Sequence, residues 1–127
     1  MRTTFAAALS VVVAFSAAPA GAEGDAARGE RLFNQQCKAC HALEKDGASV
    51  AGPNLHGLFG RKAGTGGGSY QPSDAMKNSG IVWDDKTLVE YLKDPKGKVP
   101  GTKMIFVGLK QDAQQEDILA FLKKATP

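Results

Sequence analysis

Between His41 and Gln71 the chain has no periodicity. Neither the 3.6-residue rhythm of a buried helix face nor the alternation of a strand runs through it. Gly47, Gly52, Gly57, Gly60, Gly64 and the triplet Gly66-Gly67-Gly68 punctuate it instead. An irregular stretch this long is uncommon inside a small domain. The whole chain has 127 residues, enough for one domain, and no repeat or second domain is visible. At 43% hydrophobic and 23% charged residues it is not a disordered chain. Yet few apolar residues lie between its helical segments, so its own core is thin. Something other than protein must fill it.

The first residues are set apart. Arg2 gives a positive start, Phe5 to Ala18 is almost entirely apolar or small, and Ala20-Gly21-Ala22 has the A-x-A form of a cleavage site. This pattern reads as a secretory signal peptide over residues 1–22, cut after Ala22. The apolar run is shorter than the roughly 20 residues a membrane span needs. Residues 23–127 then form the mature domain, with net charge +2, because Arg2 is the only charged residue lost from a chain of +3. So mild a charge does not suggest nucleic-acid binding. Export in a bacterium leads to the periplasm, where paired thiols tend to oxidise. Two cysteines are too few for a disulfide scaffold.

Helical spacing returns on either side of the irregular stretch. Asp25 to Lys38 places Gly29, Leu32, Phe33 and Cys37 near one face. Ser73 to Ser79 reads as a short helix with Ser73 as N-cap and Gly80 after its end. Asp84 caps another, carrying Leu88, Val89, Tyr91 and Leu92 and stopping before Pro95. Val99 to Lys110 reads as loop. Asp112-Ala113-Gln114-Gln115 has the form of a capping box for a last helix, with Ile118, Leu119, Phe121 and Leu122 as its apolar stripe. Lys123 and Lys124 suit the C-terminal end of its dipole. The expected class is all-α.

Cys37-Lys38-Ala39-Cys40-His41 is C-x-x-C-H, the attachment signature of c-type haem. Two thiols three residues apart at a helix end can both reach the vinyl edge of a haem as thioethers, and the next residue can offer the iron an imidazole. A redox dithiol of the thioredoxin kind would need a preceding strand and a following helix, which are not evident. A zinc site would need more ligands than His56 can add. A structural disulfide would not require the adjacent His. One haem c per chain also supplies the missing apolar mass. Its second axial ligand must come from His56, Met76 or Met104. The turn-rich Pro100-Gly101-Thr102-Lys103-Met104 favours Met104, because a loop can carry a thioether to the other haem face.

Taken together, Cys37–His41, the run Gly52-Pro53-Asn54-Leu55-His56-Gly57-Leu58-Phe59-Gly60-Arg61-Lys62, Trp83, Tyr91, Pro100–Phe106 and the closing Leu122–Thr126 resemble the class I c-type cytochromes, mitochondrial-like and short bacterial periplasmic members. The resemblance covers nearly all of residues 25–126. It implies the cytochrome c fold, a small helical domain with long loops wrapped around one covalently bound haem. It implies axial ligation by His41 and Met104, and a Pro53 carbonyl that receives the N–H of His41. Arg61, Tyr70 and Trp83 would donate to the haem propionates. Tyr91 and Thr102 would lie near Met104, and Gly29 and Phe33 would meet Ile118 and Phe121 where the terminal helices cross near perpendicular. The sequence also departs from the family pattern. The stretch between Gly64 and Tyr70 is shorter by one residue, and two residues are added between Tyr70 and Trp83. Met76 replaces a polar residue, and Gln36 and Val50 stand where docking lysines would.

The function these readings imply is one-electron carriage, because an iron with both axial positions filled does not readily bind substrate. An enzyme of the peroxidase or gas-binding kind would need an open sixth position, against which Met104 argues. Lys93, Lys96, Lys98, Lys103 and Lys110 share a stretch with the single acid Asp94. Such a run should ring the haem edge and steer acidic surfaces of redox partners into fast, weak encounters. The partner would be a quinol-cytochrome c oxidoreductase, a terminal oxidase, a photosynthetic reaction centre or a periplasmic dehydrogenase, met by a monomer.

Overall fold

The structure, a computed structural model, describes residues 11–14, 24–48 and 51–127. The cleavage site after Ala22, most of the leader and Val50 lie outside the described residues. Five helices follow in order: α1 (Ala26–Gln36), α2 (Asp74–Lys77), α3 (Asp85–Lys93), α4 (Pro95–Lys98) and α5 (Asp112–Ala125). Among the described residues the only β pairing is an isolated antiparallel bridge between Lys62 and Val82.

The frame is the packing of α1 on α5. Asp25 caps α1, its side chain accepting from the Arg28 N–H at 2.9 Å. A tie to α5 forms at the same end. Asp117, side chain 10% exposed, accepts from the Asp25 N–H at 2.7 Å and from the Arg28 guanidinium at 2.9 and 3.1 Å. One turn on, Gly29 lets the two backbones touch: a Cβ there would lie 2.0 Å from the carbonyl oxygen of Asp117. Phe33 then packs tilted on Phe121 with ring centroids 5.5 Å apart. The core continues through Ile118, Leu122, Leu88, Tyr91 and Trp83. Each such fully buried side chain stabilises the fold by about 1.5–3 kcal/mol.

Three local readings change. α1 stops at Gln36, before Lys38, with Cys37 as its C-cap. The Cys37 carbonyl accepts from both the Cys40 and His41 N–H groups, so the chain turns there instead of continuing the helix. The capping box at Asp112 does not form. Asp112 is already the first helical residue, Gln111 is an N-cap without a side-chain bond, and the Gln115 amide is drawn inside to donate to the Leu109 carbonyl at 2.6 Å. Satisfying a buried carbonyl outweighs capping a solvated helix end. Finally, Pro95 does more than end α3: it occupies the first turn of α4, with Asp94 as N-cap, where a missing N–H costs nothing.

The glycine-studded stretch is organised by polar ties in place of periodic structure. Asn54, 5% exposed, donates to the carbonyls of Glu44 and Gly47 at 2.8 and 2.9 Å and accepts from the His56 N–H at 2.8 Å. Trp83 donates its backbone N–H to the Arg61 carbonyl, and Ala63 donates to Ile81. These bonds let an irregular chain keep its buried backbone groups paired.

Candidate functional site

The loops and helices enclose a cavity of about 280 Å³. Cys37, Cys40, His41, Pro53, Arg61, Tyr70, Trp83, Tyr91, Thr102 and Met104 all line it. The turn after α1 delivers the first three. Cys37 is half-buried and Cys40 exposed, and no disulfide joins them. Burial, reinforced by the neighbouring Cys40, pushes the Cys37 thiol up to about 11.

His41 is held in one orientation. Its Nδ1 lies 2.7 Å from the Pro53 carbonyl oxygen. A carbonyl only accepts, so Nδ1 carries the proton, and Nε2 keeps its lone pair for a metal. Burial lowers the pKa of the ring, partly opposed by the Pro53 bond, which favours the neutral form that ligation requires. Gly52 leaves room for this arrangement: a Cβ there would stand 2.7 Å from the His41 Cε1.

Met104 follows an ordered turn. The Tyr91 hydroxyl and Thr102 Oγ1 are 2.6 Å apart, and Thr102 Oγ1 accepts the Met104 N–H at 3.3 Å. Tyr91 in turn packs on Trp83, ring centroids 5.2 Å apart. Met76 also lines the cavity, from α2, whereas His56 does not line it; its Nδ1 is 3.3 Å from the Leu43 carbonyl oxygen.

Arg61 tests whether a haem suits this space. Its Nη1 and Nη2 donate to the carbonyls of His56 and Asn54, both at 3.1 Å. Its Nε is buried with no partner, the only such side-chain atom among the described residues. Desolvation lowers the Arg61 pKa accordingly. An orphaned cationic donor at the wall of an apolar cavity calls for an anionic acceptor. A haem propionate is such an acceptor, and the thiol, imidazole and thioether groups complete the donor set. The residues fit the group.

The basic residues are more dispersed. Lys103 borders the cavity and donates to the Gln71 carbonyl at 3.1 Å. Lys96, Lys98 and Lys110 are not among the lining residues. Lys96 is exposed, Lys110 donates to the Lys93 carbonyl at 2.7 Å, and Lys98 pairs with Glu90 at 2.5 Å. Counting Asp94 as the sole acid of the stretch therefore understates its neutralisation, since the fold brings Glu90 in from α3. Two features escaped the sequence reading. Asn54 has no role of its own in the sequence reading, although an Asn beside Gly and Pro is a turn-forming residue able to bond nearby backbone. Ile105, 98% exposed, sits at the cavity wall directly after Met104.

A cytochrome c family model matches residues 26–126. The chain belongs to the cytochrome c family. A cytochrome c of Theileria parva is 50% identical over 104 residues, covering 82% of this chain and 89% of the relative. One from Ginkgo biloba is 46% identical over 112 residues, 88% and 96% of the two chains. A cytochrome c2 of Blastochloris viridis is 49% identical over 113 residues, 89% and 87%. As a cytochrome c, the chain has the family's all-α fold, carries one covalently attached haem c and is an electron carrier, not an enzyme. Among the described residues no helix is long and apolar enough to cross a membrane.

Proposed function

We propose that this cytochrome c is a periplasmic one-electron carrier whose haem is bonded to Cys37 and Cys40 and ligated by His41 and Met104. The supporting observation is that these four residues, scattered over 68 positions of sequence, line one cavity with the orphaned Arg61 Nε. When bound, the haem supplies a one-electron couple, and its Met/His ligation raises the reduction potential. The Pro53 carbonyl fixes the His41 ring and strengthens Nε2 as a donor. The Tyr91–Thr102 pair sets the approach of the Met104 thioether. Arg61, Tyr70 and Trp83, which line the cavity, would donate to the haem propionates, and the apolar wall would keep water out.

Export removes residues 1–22, so the carrier works outside the cytoplasm. Lys96, Lys103 and Lys110, with Lys98 partly neutralised by Glu90, attract acidic surfaces of its redox partners, one of them a donor such as a quinol-oxidising complex or a dehydrogenase. The acceptor is a terminal oxidase or a photosynthetic reaction centre. Weak, charge-steered contact suits a shuttle that must leave quickly.

The deciding experiment is the absorption spectrum of the oxidised holoprotein. Wild type and Met76→Ala should show the weak long-wavelength band of a methionine sulfur on ferric iron, and Met104→Ala should lose it. Loss in Met76→Ala alone would transfer the ligand role to Met76. Haem extractable by acid and organic solvent would overturn the covalent attachment.

A further inference from the structure

The segment that carries Met104 is held at its two ends, by the Thr102 turn upstream and by Leu109, which bonds to Leu92 and Gln115, downstream. From Lys103 to Gly108 no backbone–backbone hydrogen bond forms among the described residues; the flanking ones are Thr102 N–H to Val99 and Leu109 N–H to Leu92. Within it, Ile105 and Val107 are 98% and 85% exposed, so only alternate side chains face inward. Segments with few backbone bonds and much exposure open locally at low cost. Of the two anchors the turn before Met104 is the nearer, two residues away against five for Leu109, so the position of the sulfur depends most directly on what fixes that turn.

That turn begins with α4, a single helical turn too short to be stable alone. Helix α3 ties it down from two successive residues. Tyr91 reaches Thr102 through the 2.6 Å hydroxyl pair. Glu90 reaches Lys98, Nζ to Oε2 2.5 Å, with side chains 39% and 30% exposed. The two ties grip opposite ends of the Lys98–Thr102 turn. Lys86 also stands near Glu90, but at 4.0 Å and 83% exposed it leaves Lys98 as the main partner. The Lys98 hydrogen bond is the main reason the Glu90 carboxyl stays below its ordinary range. A second ion pair, Lys123 to Asp85, has the same 2.5 Å separation but joins α5 to the start of α3, away from this turn.

We propose that Glu90 and Lys98 are positioning residues for Met104, clipping α4 to α3 so that the thioether stays at the metal. The inference rests on the reading of Met104 as axial ligand. The test is imidazole binding to the oxidised holoprotein, which displaces a loosely held sixth ligand, together with amide exchange at Thr102 and Met104. Lys98→Met and Glu90→Gln should raise imidazole affinity about threefold to fivefold, the scale of a partly exposed ion pair, and speed exchange at both amides. Lys98→Arg, which keeps charge and reach, should behave as wild type. Lys123→Met breaks the matched ion pair and should leave both readouts unchanged. Equal effects from Lys98→Met and Lys123→Met, or none from Lys98→Met, would overturn the proposal. A wild-type spectrum without the sulfur band would instead overturn the ligand assignment, and the clip with it.

Discussion

The carbonyl oxygen of Pro53 lies 2.7 Å from Nδ1 of His41, twelve residues earlier in the chain. That one bond selects the tautomer, aims Nε2 into the cavity and joins the glycine-studded loop to the end of α1. It also makes the neighbouring position intolerant of bulk.

Gly52→Ala should destabilise the protein by about 1–3 kcal/mol, as overpacking does. The new Cβ would lie 2.7 Å from the His41 ring and 3.0 Å from the Cys40 carbonyl. Neither neighbour can yield easily, since the ring is held by Pro53 and the carbonyl is backbone. Pro53→Ala keeps the accepting carbonyl and should perturb the ligand far less. Denaturant midpoints of the holoproteins and the near-ultraviolet and visible spectra check both. A Gly52→Ala protein as stable as wild type would show that the ring can shift.

Asp117 should give the fold an acid-sensitive component. Its carboxyl is held below the ordinary value of 3.8 mainly by the Arg28 hydrogen bond, with the Asp25 N–H assisting. A depressed folded pKa means the stabilisation is fully present above the unfolded value and fades as pH falls through the folded one. Wild type should therefore lose stability on acidification below about pH 4, where the unfolded carboxyl begins to take up protons. Asp117→Asn should be less stable near neutral pH, and the gap between the two should narrow as pH falls. Urea titrations at several pH values read this directly. A gap that is constant with pH would mean the ion pair contributes nothing through its charge.

Lys103→Glu should slow electron transfer to an acidic partner and flatten its dependence on ionic strength, because Lys103 borders the cavity. Lys123→Glu should do much less, since Lys123 lies on α5 and already pairs with Asp85. Salt screens such steering over about 8 Å at physiological ionic strength. Second-order rates measured against salt for each variant decide the matter. Equal effects would show that only net charge counts, and a rate that rises with salt would show an apolar or basic partner face.

Much of this protein could be read locally. C-x-x-C-H, the Ser73 and Asp84 caps and the apolar stripe of the last helix are short-range patterns, and short-range patterns follow from backbone geometry and side-chain period. The Ser73 and Asp84 caps form, Thr87 completing a capping box with Asp84. Spacing alone put Gly29 and Phe33 on one face of the first helix; that this face meets α5 came from the family resemblance. What stayed hidden depends on partners distant in sequence. Gln115 looked like a cap residue and became the donor to a buried carbonyl, because the fold placed Leu109 within its reach. Glu90 carries no signal in the sequence; only the fold, by turning α4 back on α3, sets Lys98 against it. Arg61 read as a propionate donor, but only the packed loop shows two of its nitrogens bound to carbonyls and the third left free. Composition and spacing specify which groups a chain owns; which of them remain unpaired, and therefore available, depends on desolvation and long-range contacts that exist only once the loops have closed.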